Sequence, residues 1–293
     1  MVHNVPESPW VSRFAALLCA CCVAAVGGTS RAEAESEASP WQEGAHSRVR
    51  LLAATGLYHE GKPVETAAIE ILLDDGWATY WRSPGEGMPP SLDWTASGNL
   101  GAAKLLWPAP RRLKAAEGAS SAGYEREVVL PVLIAASDPS RPITLHLAIS
   151  YAVCAEVCIP VEAVLQLDVP PAPRAAHRDR ILGALDRVPR AQDQGVYCPH
   201  SFITAVRRAV NGRPALVIKT AFEERVTGLE LFVEGPPGQA LPPATVQPAS
   251  SRGRSHYVMF FETEAAVEAL IGTMLTLTTV SDQGSCESTW RVK

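Results

Sequence analysis

Two cysteines, Cys154 and Cys158, stand at the junction of two runs of alternating polarity. Upstream, Ile143, Leu145, Leu147, Ile149 and Tyr151 alternate with Thr144, His146, Ala148 and Ser150. Downstream, Val161, Ala163, Leu165, Leu167 and Val169 alternate with Glu162, Val164, Gln166 and Asp168. A period of two marks a strand with one buried face. Paired as a hairpin, the runs set the cysteines opposite each other across a short loop, with Cα atoms ~4.5–5.5 Å apart, which is disulfide distance. Both cysteines share the parity of the polar residues. Their sulfurs are therefore expected on the wetter face, within reach of another protein.

Three chemistries fit such a pair. It can be a strand-end staple, since most disulfides of exported proteins only hold structure, although so short a loop removes little chain entropy. It can be a thiol–disulfide exchange centre. It can also be half of a soft-metal site for Cu(I) or zinc, with His146 and Glu156 the nearest further ligands in sequence. No tight Cys/His cluster completes that site, so no metal is expected. Glu156 lies between the cysteines with no Lys or Arg adjacent. As a modulator it would disfavour the thiolate, stabilise the disulfide and suit a reductant better than an oxidant.

The run Y-x-x-C-x-x-x-C-I-P-x-E, at Tyr151, Cys154, Cys158, Ile159, Pro160 and Glu162, resembles the periplasmic N-terminal domain of the DsbD family of thiol:disulfide interchange proteins. It is similar above all to the branch that includes the suppressor-of-copper-sensitivity membrane reductases. Further matches lie at Asp75–Trp94 (DGWATYWRSPGEGMPPSLDW), Leu105–Arg112 (LLWPAPRR) and Gly123–Val132 (GYEREVVLPV), so the resemblance covers Val49 to Val169. It implies an immunoglobulin-like sandwich whose cysteine pair relays electrons by dithiol exchange, with Cys158 bonding to the partner and Cys154 resolving. The implied partners are a thioredoxin-like or membrane-embedded reductase and disulfide-containing exported proteins; no cofactor is expected. Members of the family shield the cysteines with a cap loop that carries an aromatic residue. The corresponding stretch here, Arg111 to Gly123, has none, so the shield comes from elsewhere or the site is more open.

A net charge of −5 leaves no basic stripe for a nucleic-acid partner. Phosphate-binding glycine loops, HExxH and GxSxG are all missing from the sequence. The N-terminus reads as a secretion signal, residues 1–34: Arg13 precedes the apolar run Phe14 to Val26, and Ala32-Glu33-Ala34 supplies an A-x-A cleavage site. Cys21 sits in a poor lipobox, and the apolar run continues past it, which favours ordinary cleavage near Ala34 and a periplasmic product. Cleavage removes Cys19, Cys21 and Cys22 and leaves four cysteines. Pairing Cys154 with Cys158 then leaves Cys198 and Cys286 as a structural disulfide. Beyond the leader, no long apolar segment and no C-x-x-C motif occurs, so no transmembrane segment is expected and the electron donor must be a separate protein.

The elements that position the cysteines follow in order. Residues 35–46 are small, polar and acidic, and read as a flexible arm. Strand candidates follow at Val49–Leu57, Val64–Leu73, Leu92–Trp94, Ala102–Trp107 and Val128–Ala135. Between them, Ser83 to Pro90 is a dense turn signal, and Trp77, Trp81, Trp94 and Trp107 are expected between two sheets. Residues 47–170 thus form the redox domain. Residues 171–192 form a linker with a short amphipathic helix carrying Ile181, Leu182, Leu185 and Val188. Residues 193–293 hold six or seven short strands and suggest a second β-sandwich. The expected fold is mainly β: two tandem immunoglobulin-like β-sandwich domains joined by a short helical linker. The expected function is periplasmic thiol–disulfide exchange through Cys154 and Cys158. The alternatives are a non-catalytic envelope scaffold with structural disulfides and a copper-handling protein using the same cysteines.

Overall fold

The computed structural model describes Met1 and residues 37–293, apart from 84, 86, 115–119, 193–197, 199, 223–225, 238, 240 and 248–253. The remainder of the expected leader, with Cys19, Cys21 and Cys22, lies outside the described residues. The chain is mainly β, with several sheets and little helix.

The strands ahead of the linker are β1 (Gln42–Gly44), β2 (Ser47–His59), β3 (Lys62–Leu73), β4 (Ala78–Tyr80), β5 (Ser91–Asp93), β6 (Leu100–Leu105), β7 (Arg111–Lys114), β8 (Ser120–Glu125), β9 (Glu127–Ala136), β10 (Ile143–Cys154) and β11 (Cys158–Val169). They form two sheets, one ordered β1-β2-β3-β9-β6 and the other β11-β10-β4-β8-β7, with β5 also paired to β10. Alternation explains the core between them. Leu51, Ile69, Ile71, Leu130 and Val132 of the first sheet meet Leu145, Leu147, Ile149, Tyr151 and Leu165 of the second. Trp81 is buried in this core, and Trp77, Trp94 and Trp107 pack against it half-buried.

The stretch read as a flexible arm contributes β1, paired antiparallel to β2 from Gln42↔Val49 to Gly44↔Ser47. Its order comes from contacts that composition does not reveal. Trp41 carries the Arg48 and Arg50 guanidiniums over its ring at 4.8 and 4.3 Å, an attraction of a cation to the ring face. Ser39 accepts from the Leu51 amide through Oγ and donates its own amide to the Leu51 carbonyl. Gly44 lies so close to β11 that a Cβ there would sit 2.6 Å from Val161.

In the linker, α1 (Arg178–Leu185) buries Ile181, Ala184 and Leu185 on the outer face of the first sheet, against Leu52, Leu57, Ala68 and Val129. The amphipathic reading accounts for this docking. The end of the linker differs from expectation. Residues Arg190–Ala191 form β12, which runs parallel to β19 (Gly284–Arg291) and so joins the next sheet.

Beyond it come β13 (His200–Val210), β14 (Arg213–Phe222), β15 (Glu230–Glu234), β16 (Thr245–Gln247), β17 (Arg254–Phe260), α2 (Glu264–Glu268) and β18 (Met274–Ser281), with β19 last. Two four-stranded sheets result, ordered β12-β19-β18-β15 and β13-β14-β17-β16. Leu216, Ile218, Tyr257, Met259, Leu275 and Leu277 fill the space between them. The last strand begins five residues earlier than its hydrophobicity suggests. Gly284 to Ser288 is polar and is recruited by pairing with β18.

The two pairs of sheets touch through polar and aromatic contacts. Phe232 of β15 enters the first core, its ring 5.8 Å from Trp81 and inclined at 63°. Arg82 donates to Glu234 through Nε at 3.0 Å and Nη2 at 2.6 Å, and its Nη2 also donates to Glu287. Arg112 donates through Nη2 to the carbonyls of Leu231 and Ala244, both at 2.8 Å.

Candidate functional site

The hairpin of β10 and β11 is in register along its whole length, from Ile143↔Val169 to Cys154↔Cys158. The two cysteines close it as a disulfide, with Cα atoms 4.1 Å apart. Within the loop the Ala155 amide donates to the Val157 carbonyl at 3.0 Å. Cys158 is exposed and Cys154 half-buried, while Ala155, Glu156 and Val157 all face solvent.

The parity argument holds along most of the hairpin and is modified at its tip. Ala148, Glu162, Val164, Gln166 and Asp168 are exposed on the even-numbered face, but Ala152 on the same face is buried. A small apolar cluster of Tyr80, Leu113 and Ala152 covers the sheet there, and Cys154 packs against it.

Tyr80 brings to the disulfide an aromatic side chain, a residue type missing from the stretch Arg111 to Gly123. It is the last residue of β4, which pairs with β10 through Thr79↔Val153 and Ala78↔Cys154. Thr79 Oγ1 fixes that pairing by donating to the Ala152 carbonyl at 2.8 Å. The Tyr80 hydroxyl lies 3.2 Å from Cys158 Sγ. A disulfide sulfur carries no proton, so the hydroxyl is the donor.

Two glycines make this cover possible. At Gly87 a Cβ would stand 2.8 Å from the Tyr80 ring, so only glycine lets the loop after β4 lie flat on the ring. At Gly123 a Cβ would stand 2.2 Å from the Thr79 carbonyl oxygen and 2.7 Å from Leu113. Glycine thus lets β8 run close beside β4 while Leu113 folds across toward the cysteines.

Other groups named from the sequence sit farther away. Glu156 is exposed at the loop, where water screens it. His146 lies eight residues up β10, about 26 Å from Cys154 at ordinary strand rise. Among the described residues, no group of three or more His, Cys, Asp or Glu is placed to hold a metal ion. The second cysteine pair is bonded, Cys198 to Cys286, with Cys286 buried. No helix among the described residues is long and apolar enough to cross a membrane.

The surrounding tyrosines are structural in character. Burial pushes the Tyr124 phenol well above its ordinary value, and it donates to the Pro108 carbonyl at 2.7 Å. Burial also raises Tyr151, opposed by its hydrogen bond with Ser47 at 2.9 Å.

These features coincide with a known family. Residues 58–170 match the family described as "Thiol:disulfide interchange protein DsbD, N-terminal". Over this segment the chain is similar to the DsbD N-terminal domain family. The segment contains Tyr80, Leu113 and both hairpin cysteines. The chain is also similar in fold, over most of its length, to the N-terminal periplasmic domain of ScsB from Proteus mirabilis. That crystal structure aligns with a TM-score of 0.68 at 22% identity, covering 88% of this chain and 98% of its own. No curated protein matches the chain.

The Tyr80 contact makes a prediction about the DsbD-type hairpin. Once the disulfide is reduced, the same hydroxyl is placed to donate to a Cys158 thiolate and favour it. Tyr80→Phe should slow alkylation of reduced Cys158 at neutral pH by about fivefold, the equivalent of one ordinary hydrogen bond. Mass-spectrometric rates of iodoacetamide labelling check this; an unchanged rate would mean that the hydroxyl is indifferent to the thiolate.

Proposed function

We propose that this chain is an exported, periplasmic thiol–disulfide exchange protein that relays electrons from a separate reductase to disulfide-bonded exported substrates. Cys154 and Cys158 are the exchanging pair. On this reading residues 47–170 are an immunoglobulin-like redox domain, 171–192 a linker that docks on it, and 193–293 a second immunoglobulin-like sandwich. Cys198–Cys286 holds the second sandwich together. The observation that carries the reading is the asymmetry at the hairpin tip: an exposed Cys158 beside a half-covered Cys154, with a hydroxyl donor aimed at the exposed sulfur. A staple has no use for that arrangement.

The exchange runs through Cys158. A thiolate of the reductase attacks Cys158 Sγ as the Cys154–Cys158 bond breaks, and the electron pair leaves on Cys154, which takes up a proton. The second thiolate of the reductase then attacks its own half of the mixed disulfide, and the reductase departs oxidised. In the second half-cycle the Cys158 thiolate attacks a substrate disulfide, and one substrate sulfur leaves as a thiolate and is protonated. Cys154 finally attacks Cys158, restoring the internal disulfide and releasing the second substrate thiol. Similarity of residues 58–170 to the DsbD N-terminal family supports this assignment of roles.

Trapping tests it. With Cys154→Ser, Cys158 should accumulate as a mixed disulfide with a partner, visible on non-reducing gels after acid quench of periplasmic extract. Cys158→Ser should trap little, because the remaining sulfur is half-buried. If neither variant traps a partner and thioredoxin-type reductants leave the wild-type bond closed, the pair is a staple.

A further inference from the structure

We infer that the C-terminal pair of sheets braces the cover over the Cys154–Cys158 disulfide, with Arg82 and Arg112 as the positioning residues that transmit the hold to Tyr80 and Leu113. The purpose of such a brace rests on the exchange reading; the contacts that make it do not.

The two cover residues are weakly held within their own sheet. Leu113 belongs to β7, a four-residue strand that among the described residues lies at the edge of its sheet and pairs with β8. Tyr80 ends a three-residue strand and is followed at once by the loop that carries Ser83, Gly85, Gly87 and Pro89. Neither element has the length to be rigid by itself.

Each cover residue has an arginine adjacent to it or two residues away, and both arginines reach across to the other pair of sheets. In β7 alternate side chains leave opposite faces, so Leu113 turns toward the cysteines and Arg112 turns away from them. Arg112 donates to the Leu231 and Ala244 carbonyls, lies over the Phe232 ring at 5.1 Å and approaches Glu230 at 4.0 Å. Arg82, two residues after Tyr80, is held by two carboxylates from different strands, Glu234 of β15 and Glu287 of β19. Those strands flank β18 in one sheet, so the clamp spans a rigid surface. Burial alone would lower the basicity of Arg82, but hydrogen bonding and charge from Glu234, and then Glu287, raise it above the ordinary value.

Charge-assisted hydrogen bonds in a half-buried setting are the strong kind. The arrangement therefore ties the short cover elements to the sheet that carries Glu234 and Glu287. With the clamp closed, Tyr80 stays on Cys158 and Leu113 on the Cys154 side. Releasing it lets both lift, opening the disulfide to attack.

The experiment uses the full chain with Cys198–Cys286 intact and measures the rate at which dithiothreitol opens Cys154–Cys158, read by acid-quenched alkylation and mass spectrometry. Arg82→Met should accelerate opening by at least about tenfold, since it removes charge-assisted hydrogen bonds to both Glu234 and Glu287 and each such bond is worth about that factor. Glu234→Gln, an isosteric change, should accelerate it in the same direction and remains informative if Arg82→Met fails to fold. Arg82→Lys should restore most of the wild-type rate, since a lysine can still pair with the carboxylates. Combined with Arg82→Met, Glu234→Gln should add little, because Arg82→Met already removes the group that Glu234 holds. Asp282→Asn serves as a control: it weakens bonds to Thr227 that involve neither arginine nor the acceptors they reach, and should leave the rate unchanged. Unchanged opening in a folded Arg82→Met or Glu234→Gln protein overturns the brace, as does an equal acceleration in Asp282→Asn. Because the reductant is a small molecule, this result is independent of whether a protein partner is trapped on Cys158.

Discussion

Replacing Cys198 and Cys286 together by alanine should cost the chain about 4–5 kcal/mol of stability, from the loop-closure entropy of a long cross-linked segment. The bonded residues are 88 apart in sequence, so the bond restrains nearly all of the C-terminal pair of sheets in the unfolded state. The melting temperature of that part should fall by roughly 15–40 °C. The exchange pair should survive the change. Glu287, next to Cys286, keeps its place on β19 through pairing with β18 from Met274↔Arg291 to Ser281↔Gly284, so the Arg82 clamp is not lost with the bond. Calorimetry of the double variant beside wild type checks the stability, and dithiothreitol opening of Cys154–Cys158 checks the independence of the sites. A melting temperature within a few degrees of wild type would show that this disulfide closes a segment already held by its sheets.

The elements legible in the sequence are those whose order comes from their own pattern. β10 and β11 carry alternating apolar residues over ten residues or more, and burial of one face follows from that alone; β2, β3 and β9 carry continuous apolar runs, one face in the core between the sheets and the other under α1. The short strands are of another kind. The residues of β1, QEG, and of β8, SSAGYE, have no apolar alternation. They are strands because a neighbour offers hydrogen bonds and because a particular contact, Trp41 under two arginines or Gly123 against Thr79, lets the backbone approach. Period-two reading has no access to contacts of this type.

The candidate site divides in the same way. The cysteine pair is local: two residues on adjacent ends of one hairpin, whose register the turn length fixes. Its surroundings are not local. Tyr80 is 78 residues from Cys158, and Arg82 is 152 residues from Glu234. Reading outward from the cysteines led to Glu156, which is nearest in sequence and stands exposed in water, whereas the hydroxyl that touches sulfur arrives from β4. One signal pointed toward it. Tyr80-Trp81-Arg82 crowds two aromatics and a cation just ahead of a glycine- and proline-rich loop, and alternation across those three residues sends Tyr80 and Trp81 to opposite faces. The tyrosine on the cysteine side and the tryptophan on the core side follow from that parity once β4 is placed.

Trp81 is where the two consequences of this parity meet, and its removal is expected to have the second large effect. The side chain is only 1% exposed and lies in the first core, with Phe232 of β15 edge-on to it. Arg82 also lies over its ring at 4.7 Å. Trp81→Ala leaves a cavity that the flanking sheets cannot close and should destabilise the chain by about 3–5 kcal/mol. Trp81→Phe should cost much less. It keeps an aromatic edge for Phe232 and removes an indole Nε1 that is buried with no hydrogen-bond partner among the described residues, so no bond is given up. The distinguishing result concerns the site. Losing the Trp81 ring loosens Phe232 and the guanidinium of Arg82 together, so Trp81→Ala should also speed dithiothreitol opening of Cys154–Cys158, while Trp81→Phe should not. Urea titration and the opening rate, measured on both variants, test the two halves separately. A large stability loss with an unchanged opening rate would confine Trp81 to the core and detach it from the cover over the cysteines.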